Sequence, residues 1–171
     1  DEALKIFKQY AKRDNRIRIV DQKNMGLVYA KNNGVAAARG TYILPLDSDY
    51  MIAPNCLEVL HKIITTTDYS VVCPAGVKFG RKNELWRLPK VNKINMYSWR
   101  NAIHNSSLYP KSLWEKYGGY NTELNNQTLE DYDFWLSFLD DDKKLTRTKL
   151  PMFFYRLKPK AESRNHSGSN K

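Results

Sequence analysis

Two acidic motifs carry residue types and spacings that could do chemistry. Asp47-Ser48-Asp49 directly follows the apolar stretch Tyr42-Ile43-Leu44-Pro45-Leu46. Two carboxylates therefore stand at the carboxyl end of a predicted strand, the edge where ligands of open α/β sheets collect. Residues i and i+2 of an extended chain project to the same side, so Asp47 and Asp49 could face one hard divalent cation. A cation held there could bridge to diphosphate oxygens and stabilise the charge left on a departing group. The alternative is a solvated turn before a helix, with an acid near the positive end of the helix dipole. A calcium loop of the EF-hand type is set aside, because Ile52 occupies the place of its glycine and Met51 that of a ligand.

The second motif is Glu130-Asp131, which opens a helical pattern carrying Tyr132, Trp135, Leu136 and Leu139 on one face. Thr128 and Asp131 have capping-box-like spacing, so a carboxylate spent on a backbone donor is the plain reading. A carboxylate at a helix start in a cleft could instead accept the proton of an attacking hydroxyl. The two motifs reinforce each other if they face the same cleft. The remaining candidates carry less. Asp140-Asp141-Asp142 followed by Lys143-Lys144 reads as solvated surface. His61 lies on an apolar helix face, His166 is in the tail, and His104 sits in a basic loop where a polar contact to an acceptor is available. No two histidines have zinc spacing, and the sequence has neither a Gly-rich phosphate loop nor a nucleophile elbow. Asn-x-Ser/Thr matches stand at Asn105, Asn126 and Asn165.

The elements that must position these motifs follow from composition and periodicity. The chain has 171 residues, 42% hydrophobic and 27% charged, the profile of one globular domain with a sizeable core. No apolar run is long enough to form a membrane-spanning helix. Two cysteines are too few for a disulfide framework, which predicts a reducing, cytoplasmic compartment. Lys and Arg outnumber Asp and Glu by 28 to 18, a formal charge of +10 that favours an anionic partner or the inner face of a membrane. The first residue is Asp1 and the pattern that follows is already helical, with Ala3, Phe7, Tyr10 and Ala11 on one face. This reads as a chain that begins inside a domain.

A strand is expected at Arg16 to Val20, a helix at Leu27 to Ala38, and a strand at Thr41 to Leu46 in which Pro45 removes a ladder donor. A helix starting at Pro54 should bury Leu57, Leu60, His61 and Ile64. Tyr69 to Val77 reads as a strand interrupted by Pro74 and Ala75. This alternation points to an α/β layer with a mainly parallel sheet flanked by helices. Gly80 to Ser107 breaks the rhythm, mixing Arg81, Lys82, Arg87, Lys90, Lys93 and Arg100 with Trp86, Tyr97 and Trp99. Pro110 to Tyr117 reads as a short helix closed by Gly118-Gly119, and Leu145 to Leu150 and Met152 to Arg156 as late strands. A single domain thus spans residues 1–160, and residues 161–171 are polar enough to form a disordered tail.

In order along the chain, Asn24-Met25-Gly26-Leu27, Ala30-Lys31-Asn32-Asn33-Gly34-Val35, Ala38-Arg39-Gly40-Thr41-Tyr42-Ile43 and Leu46-Asp47-Ser48-Asp49 resemble the core of the family 2 inverting glycosyltransferases with the GT-A fold. Ser107-Leu108-Tyr109, Leu113 to Asn121 and Glu130-Asp131-Tyr132-Asp133-Phe134-Trp135-Leu136 continue the resemblance to about Arg156. It implies transfer of a sugar, with inversion, from a nucleotide-diphosphate sugar to the hydroxyl of a saccharide or lipid-linked acceptor, in cell-surface polysaccharide or glycolipid synthesis. By matching positions, Asp47 would lie near the donor ribose and metal, Asp49 would ligand Mg²⁺ or Mn²⁺, and Lys31 and Asn32 would lie close to the nucleotide. Asp131 would be the catalytic base, with Glu130 its nearest rival or an acceptor-binding partner. The basic loop with His104, together with Trp135 and Arg156, falls on the acceptor side, and Tyr155-Arg156 resembles the segment that helps close the site.

Three departures from the family pattern stand out. Tyr50 replaces a further acid, no histidine follows Tyr155-Arg156, and the family's first strands would precede Asp1. The expectation is weak donor binding and little or no turnover by this chain as given. A rival reading, a basic nucleic-acid-binding module, would predict steeply salt-dependent oligonucleotide binding but gives no role to Asp47-Ser48-Asp49. A nucleotidyltransferase on the same sheet would release pyrophosphate rather than a nucleoside diphosphate.

Overall fold

The computed structural model describes residues 2–125 and 127–158. The tail expected at 161–171, with His166 and Asn165, and the match at Asn126 lie outside the described residues. The helices are α1 (Glu2–Arg13), α2 (Leu27–Ala37), α3 (Cys56–Thr66), α4 (Lys93–Tyr97), α5 (Lys111–Lys116) and α6 (Glu130–Asp140). The strands are β1 (Tyr42–Ile43), β2 (Met51–Ile52), β3 (Tyr69–Gly80), β4 (Glu84–Leu85), β5 (Tyr109–Pro110) and β6 (Lys144–Leu157).

Four strands form a mixed sheet in the order β2-β6-β3-β4, and β1 pairs separately with β5. The longest ladder, β3 with β6, is parallel, while β2-β6, β3-β4 and β1-β5 are antiparallel. A single bridge from Val72 to Leu108 joins the two sheets. Pro74 and Pro151 do not end β3 or β6. The β3-β6 register shifts around Pro74, as a residue without an N–H requires, and the displaced Ala75 amide donates to Thr148 Oγ1 at 2.9 Å. The two late strands expected from the sequence are therefore one bulged strand.

One core lies between the sheet and α2, α4 and α6, built on Val28, Val71, Tyr109, Tyr120, Phe134, Trp135 and Phe138. A second packs α3 beneath Val72, Leu108 and Met152. In α3 the buried stripe is Cys56, Leu60 and Ile64, with Val59 and Ile63 against it, whereas Leu57 and His61 are exposed. The expected stripe holds at Leu60 and Ile64 but not at Leu57 and His61, because the buried face is flanked by Val59 and Ile63 instead. The segment Arg16 to Val20 is not a strand. It joins no ladder, and Ile17 and Val20 stay exposed. The strand expected from Thr41 to Leu46 pairs only at Tyr42 and Ile43. The amphipathic helix α1 buries no residue at all, with Ile6, Phe7 and Tyr10 exposed.

Candidate functional site

The two acidic motifs reach the same place from opposite ends of the chain. After β1 the backbone turns through Asp47, whose carbonyl accepts from the Tyr50 amide at 3.1 Å. Gly118 and Gly119, at φ +74° and +82°, end α5 and turn the chain toward Tyr120 and the start of α6. A Cβ at Gly119 would lie 2.7 Å from Asn32 Oδ1, so only glycine allows α2 and this turn to approach so closely. Thr128, at φ +56°, then redirects the backbone into α6. The expected capping box does not form: Leu129 precedes the helix and no side chain caps it. The Asp131 carboxylate is left to accept only locally, from the Tyr132 amide at 2.9 Å.

Asp47, Glu130, Asp131, Lys31 and His104 line one cavity of about 280 Å³ together with Tyr50, Trp86, Phe153 and Tyr155. Lys31, from α2, forms an ion pair with Glu130, and both side chains are almost fully buried. Burial pushes the Asp131 carboxyl up to about 6, the neighbouring Glu130 adds to the shift, and Lys31 opposes it. Asp47 is likewise raised, first by burial; Lys31 pulls it down while Asp49 and Glu130 push it up. Three acids and one ammonium thus share a field, and burial raises two of the acids, Asp131 to about 6.

The other residues singled out from the sequence are placed differently. Asp49 does not line the cavity. Its carboxylate pairs with Lys158 at 2.8 Å, and its carbonyl accepts from Arg156 Nε at 3.3 Å. Arg156 is exposed, with its guanidinium 4.6 Å from the centre of the Phe79 ring. Asn32 uses its whole amide structurally: Oδ1 accepts from Trp114 Nε1 and the Tyr120 amide, and Nδ2 donates to the Tyr120 carbonyl at 2.8 Å. Trp135 is fully buried among Tyr109, Phe134 and Phe138, away from any acceptor surface. His104 lies between the rings of Trp86 and Phe153 and donates from Nε2 to the Pro74 carbonyl at 2.8 Å. Burial drives its pKa down to about 4, so it is neutral at physiological pH.

Sequence reasoning missed Asn105, Ser106, Tyr50 and Phe153 as wall residues. The available signal was Asn105-Ser106-Ser107, a polar run directly ahead of the buried Leu108-Tyr109. Among the described residues no three His, Cys, Asp or Glu side chains gather as a metal site.

The sequence pattern of Glycosyl transferase family 2 matches residues 1–116. EpsH of Bacillus subtilis is 39% identical over 92% of this chain and 49% of its own length. The O-antigen biosynthesis glycosyltransferase WbnJ of Escherichia coli is 30% identical over 82% of this chain and 56% of its own. The chain thus spans about half the length of these relatives. The structure of S. aureus TarS 1–349 in complex with UDP-GlcNAc superposes with a TM-score of 0.73 at 16% identity, covering 93% of this chain and 47% of that one. This likeness establishes the GT-A fold. No helix among the described residues is long and apolar enough to cross a membrane. By the extent of the sequence matches, the chain belongs to glycosyl transferase family 2.

Proposed function

We propose that the acidic cavity is where a sugar passes from a nucleotide-diphosphate donor to an acceptor hydroxyl, by a single displacement that inverts the anomeric carbon. The observation that carries this reading is the convergence of Asp47, Glu130 and Asp131 on one cavity, with Asp131 raised to about 6. A base must be unprotonated at working pH yet retain affinity for a proton, and a carboxyl near 6 meets both requirements better than one near 4. Asp131 accepts the hydroxyl proton as the acceptor oxygen attacks the anomeric carbon and the bond to diphosphate breaks. Glu130 is the poorer base, because its carboxylate is taken up by the buried ion pair with Lys31. Its part is to keep Lys31 in place and to raise Asp131.

Asp47 and Asp49 suit a divalent cation in one respect: they present two carboxylates in an i, i+2 pair, and Mg²⁺ is commonly held by one or two carboxylates plus substrate phosphates and water. When bound, Mg²⁺ or Mn²⁺ would neutralise charge on the departing diphosphate. Asp49 must then leave Lys158, which itself is free to meet a phosphate oxygen. A nucleotide sugar as donor is supported by the UDP-GlcNAc bound to TarS, and a role in surface polysaccharide assembly by the name of WbnJ. The +10 charge suits a phosphate-bearing or membrane-bound acceptor.

The test is a panel of nucleotide sugars with Mg²⁺ or Mn²⁺ on a form of the protein extended at its N-terminus, scored for the released product. Nucleoside diphosphate release with transfer is the expected outcome. Release of pyrophosphate would favour a nucleotidyltransferase, and failure of every donor beside tight oligonucleotide binding would favour the rival basic module.

A further inference from the structure

The segment that joins β4 to β5 leaves the cavity lining at Trp86 and returns to it at His104. Between these points it is fixed rather than slack. Arg147, from β6, donates to carbonyls near both ends, Leu88 at 3.1 Å and Ala102 at 2.9 Å. The short helix α4 is capped by Asn92, whose side chain accepts from the Asn95 amide at 2.8 Å. Its Met96 is fully buried in the core it shares with α6, and the Met96 carbonyl accepts from the Tyr132 hydroxyl.

This anchored segment turns apolar side chains outward. Ile94 is 78% exposed and Trp99 76%, and Tyr97, three residues beyond Ile94 on the same helix face, is exposed as well. Trp99 is also held at φ +58°, a left-handed conformation that strains the backbone of a bulky residue. Its ring centre lies 5.5 Å from that of Tyr132, so the indole is propped against α6 and otherwise faces solvent.

The surrounding charge is positive. Residues 81–100 hold Arg81, Lys82, Arg87, Lys90, Lys93 and Arg100 against the single acid Glu84, which pairs with Lys78. Asn95 ties two of these cations to the patch: its side chain donates to the Lys90 carbonyl at 2.7 Å, and its carbonyl accepts from the Arg100 amide at 3.0 Å. The acids at the end of α6 are engaged, Asp142 by Lys93, Asp141 by Lys116 and Lys143, and Asp140 by the Tyr97 hydroxyl at 2.6 Å. Lys90 and Arg100 have no acidic partner among the described residues.

We propose that this patch docks on an anionic lipid bilayer: Ile94 and Trp99 enter the boundary between headgroups and acyl chains, while Lys90 and Arg100 meet lipid phosphates. An indole suits that boundary, with its apolar body toward the chains and its N–H toward water. The exposed aliphatic Ile94 beside it fits acyl chains, whereas a nucleic-acid backbone offers it no partner. Cations close to an anionic leaflet are drawn to it within a Debye length. The proposal goes beyond the transfer reaction and does not depend on it. Because the segment starts and ends on the cavity lining, docking also brings the cavity toward the headgroups.

Co-sedimentation of this chain with vesicles tests it without donor or turnover, using pure phosphatidylcholine and an equal mixture of phosphatidylcholine and phosphatidylglycerol, each at low and high salt. The anionic vesicles should bind at least about tenfold more tightly at low salt, and the advantage should shrink as salt rises. Lipids with brominated acyl chains should quench the indole emission of the unsubstituted chain and quench Trp99→Phe less, since Trp99 is the one exposed tryptophan among the described residues. Trp99→Gly, which keeps the left-handed backbone, and Ile94→Ser should each weaken anionic-vesicle binding about tenfold, with little change in melting temperature. Lys90→Gln with Arg100→Gln should remove most of the preference for anionic lipid. Phe7→Asp, on the exposed apolar face of α1, is the control and should leave the quenching at Trp99 in place. Equal binding to both vesicles, binding to neither, or binding that Phe7→Asp abolishes and Trp99→Gly leaves intact would overturn the proposal. So would tight oligonucleotide binding, or self-association without lipid, that Trp99→Gly abolishes while vesicle binding persists. Vesicle binding as expected beside failure of every nucleotide sugar would leave the proposal standing and count against the transfer reading alone.

Discussion

Replacing Asp131 by Asn should stabilise this protein at neutral pH, by an amount that the burial of its carboxyl sets. The folded state raises Asp131 from 3.8 to about 6, so the native protein holds this proton more tightly than the unfolded chain does. The contribution to stability is therefore complete below pH 4 and is lost as pH rises through 6. Two units at about 1.4 kcal/mol each amount to about 3 kcal/mol by pH 7. For a domain of this size that corresponds to roughly 6–12 °C in melting temperature. Asn keeps the shape and can still accept from the Tyr132 amide through Oδ1, so the substitution mainly removes the ionisation. The assay is thermal or urea unfolding of both proteins from pH 4 to pH 8, read as their difference, which cancels most of the shared titration of Asp47, Asp133 and His104. The Asn protein should gain on the native one as pH rises, with the gain levelling off above pH 7. A difference that is flat with pH, or that favours Asp at high pH, would refute the argument from burial.

Lys31→Met should cost about 3–5 kcal/mol in unfolding experiments, because it leaves Glu130 charged and alone in the interior, and adding Glu130→Leu should recover most of that loss. Asn32→Ala, which removes three hydrogen bonds between α2 and the Trp114 to Tyr120 segment, should lower stability by about 2–3 kcal/mol while donor affinity stays unchanged in calorimetry. Lys158→Ala should tighten Mn²⁺ binding measured with a nucleoside diphosphate present, by freeing Asp49, and Asp49→Ala should abolish it. The rate of sugar transfer should rise with pH to a plateau around an apparent midpoint near 6, since Asp131 acts only after losing its proton.

Both acidic motifs were legible in the sequence because each combines a local pattern with an edge: Asp47 follows an apolar strand, and Glu130-Asp131 open an amphipathic helix. What the sequence could not supply was orientation across the interior. Trp135 shares a helix with the acids, yet its face turns into the aromatic core. Asn32 neighbours Lys31, but one position along α2 separates the cavity from the Gly119 turn. Arg16 to Val20 alternates like a strand, and alternation yields a strand only where a ladder partner is at hand. Leu57 and His61 were assigned to a buried stripe because they fit the i, i+3, i+4, i+7 spacing with Leu60 and Ile64, yet the face that meets the core is flanked by Val59 and Ile63 on the other side. Tyr155 was expected near the site and Trp86 in the loop beside it, but their grouping with Tyr50 and Phe153 was not legible, because these residues are spread along the chain and only the β2-β6-β3-β4 sheet gathers them.

The most direct measurement of the central claim compares Asp131→Asn and Glu130→Gln with the unsubstituted protein, each in a form extended at the N-terminus, in sugar transfer, with donor affinity determined alongside. If Asp131 is the base, Asp131→Asn loses transfer by about 10²-fold or more while donor affinity stays within a few-fold, and Glu130→Gln loses less. Transfer that survives Asp131→Asn at the native rate would contradict the account.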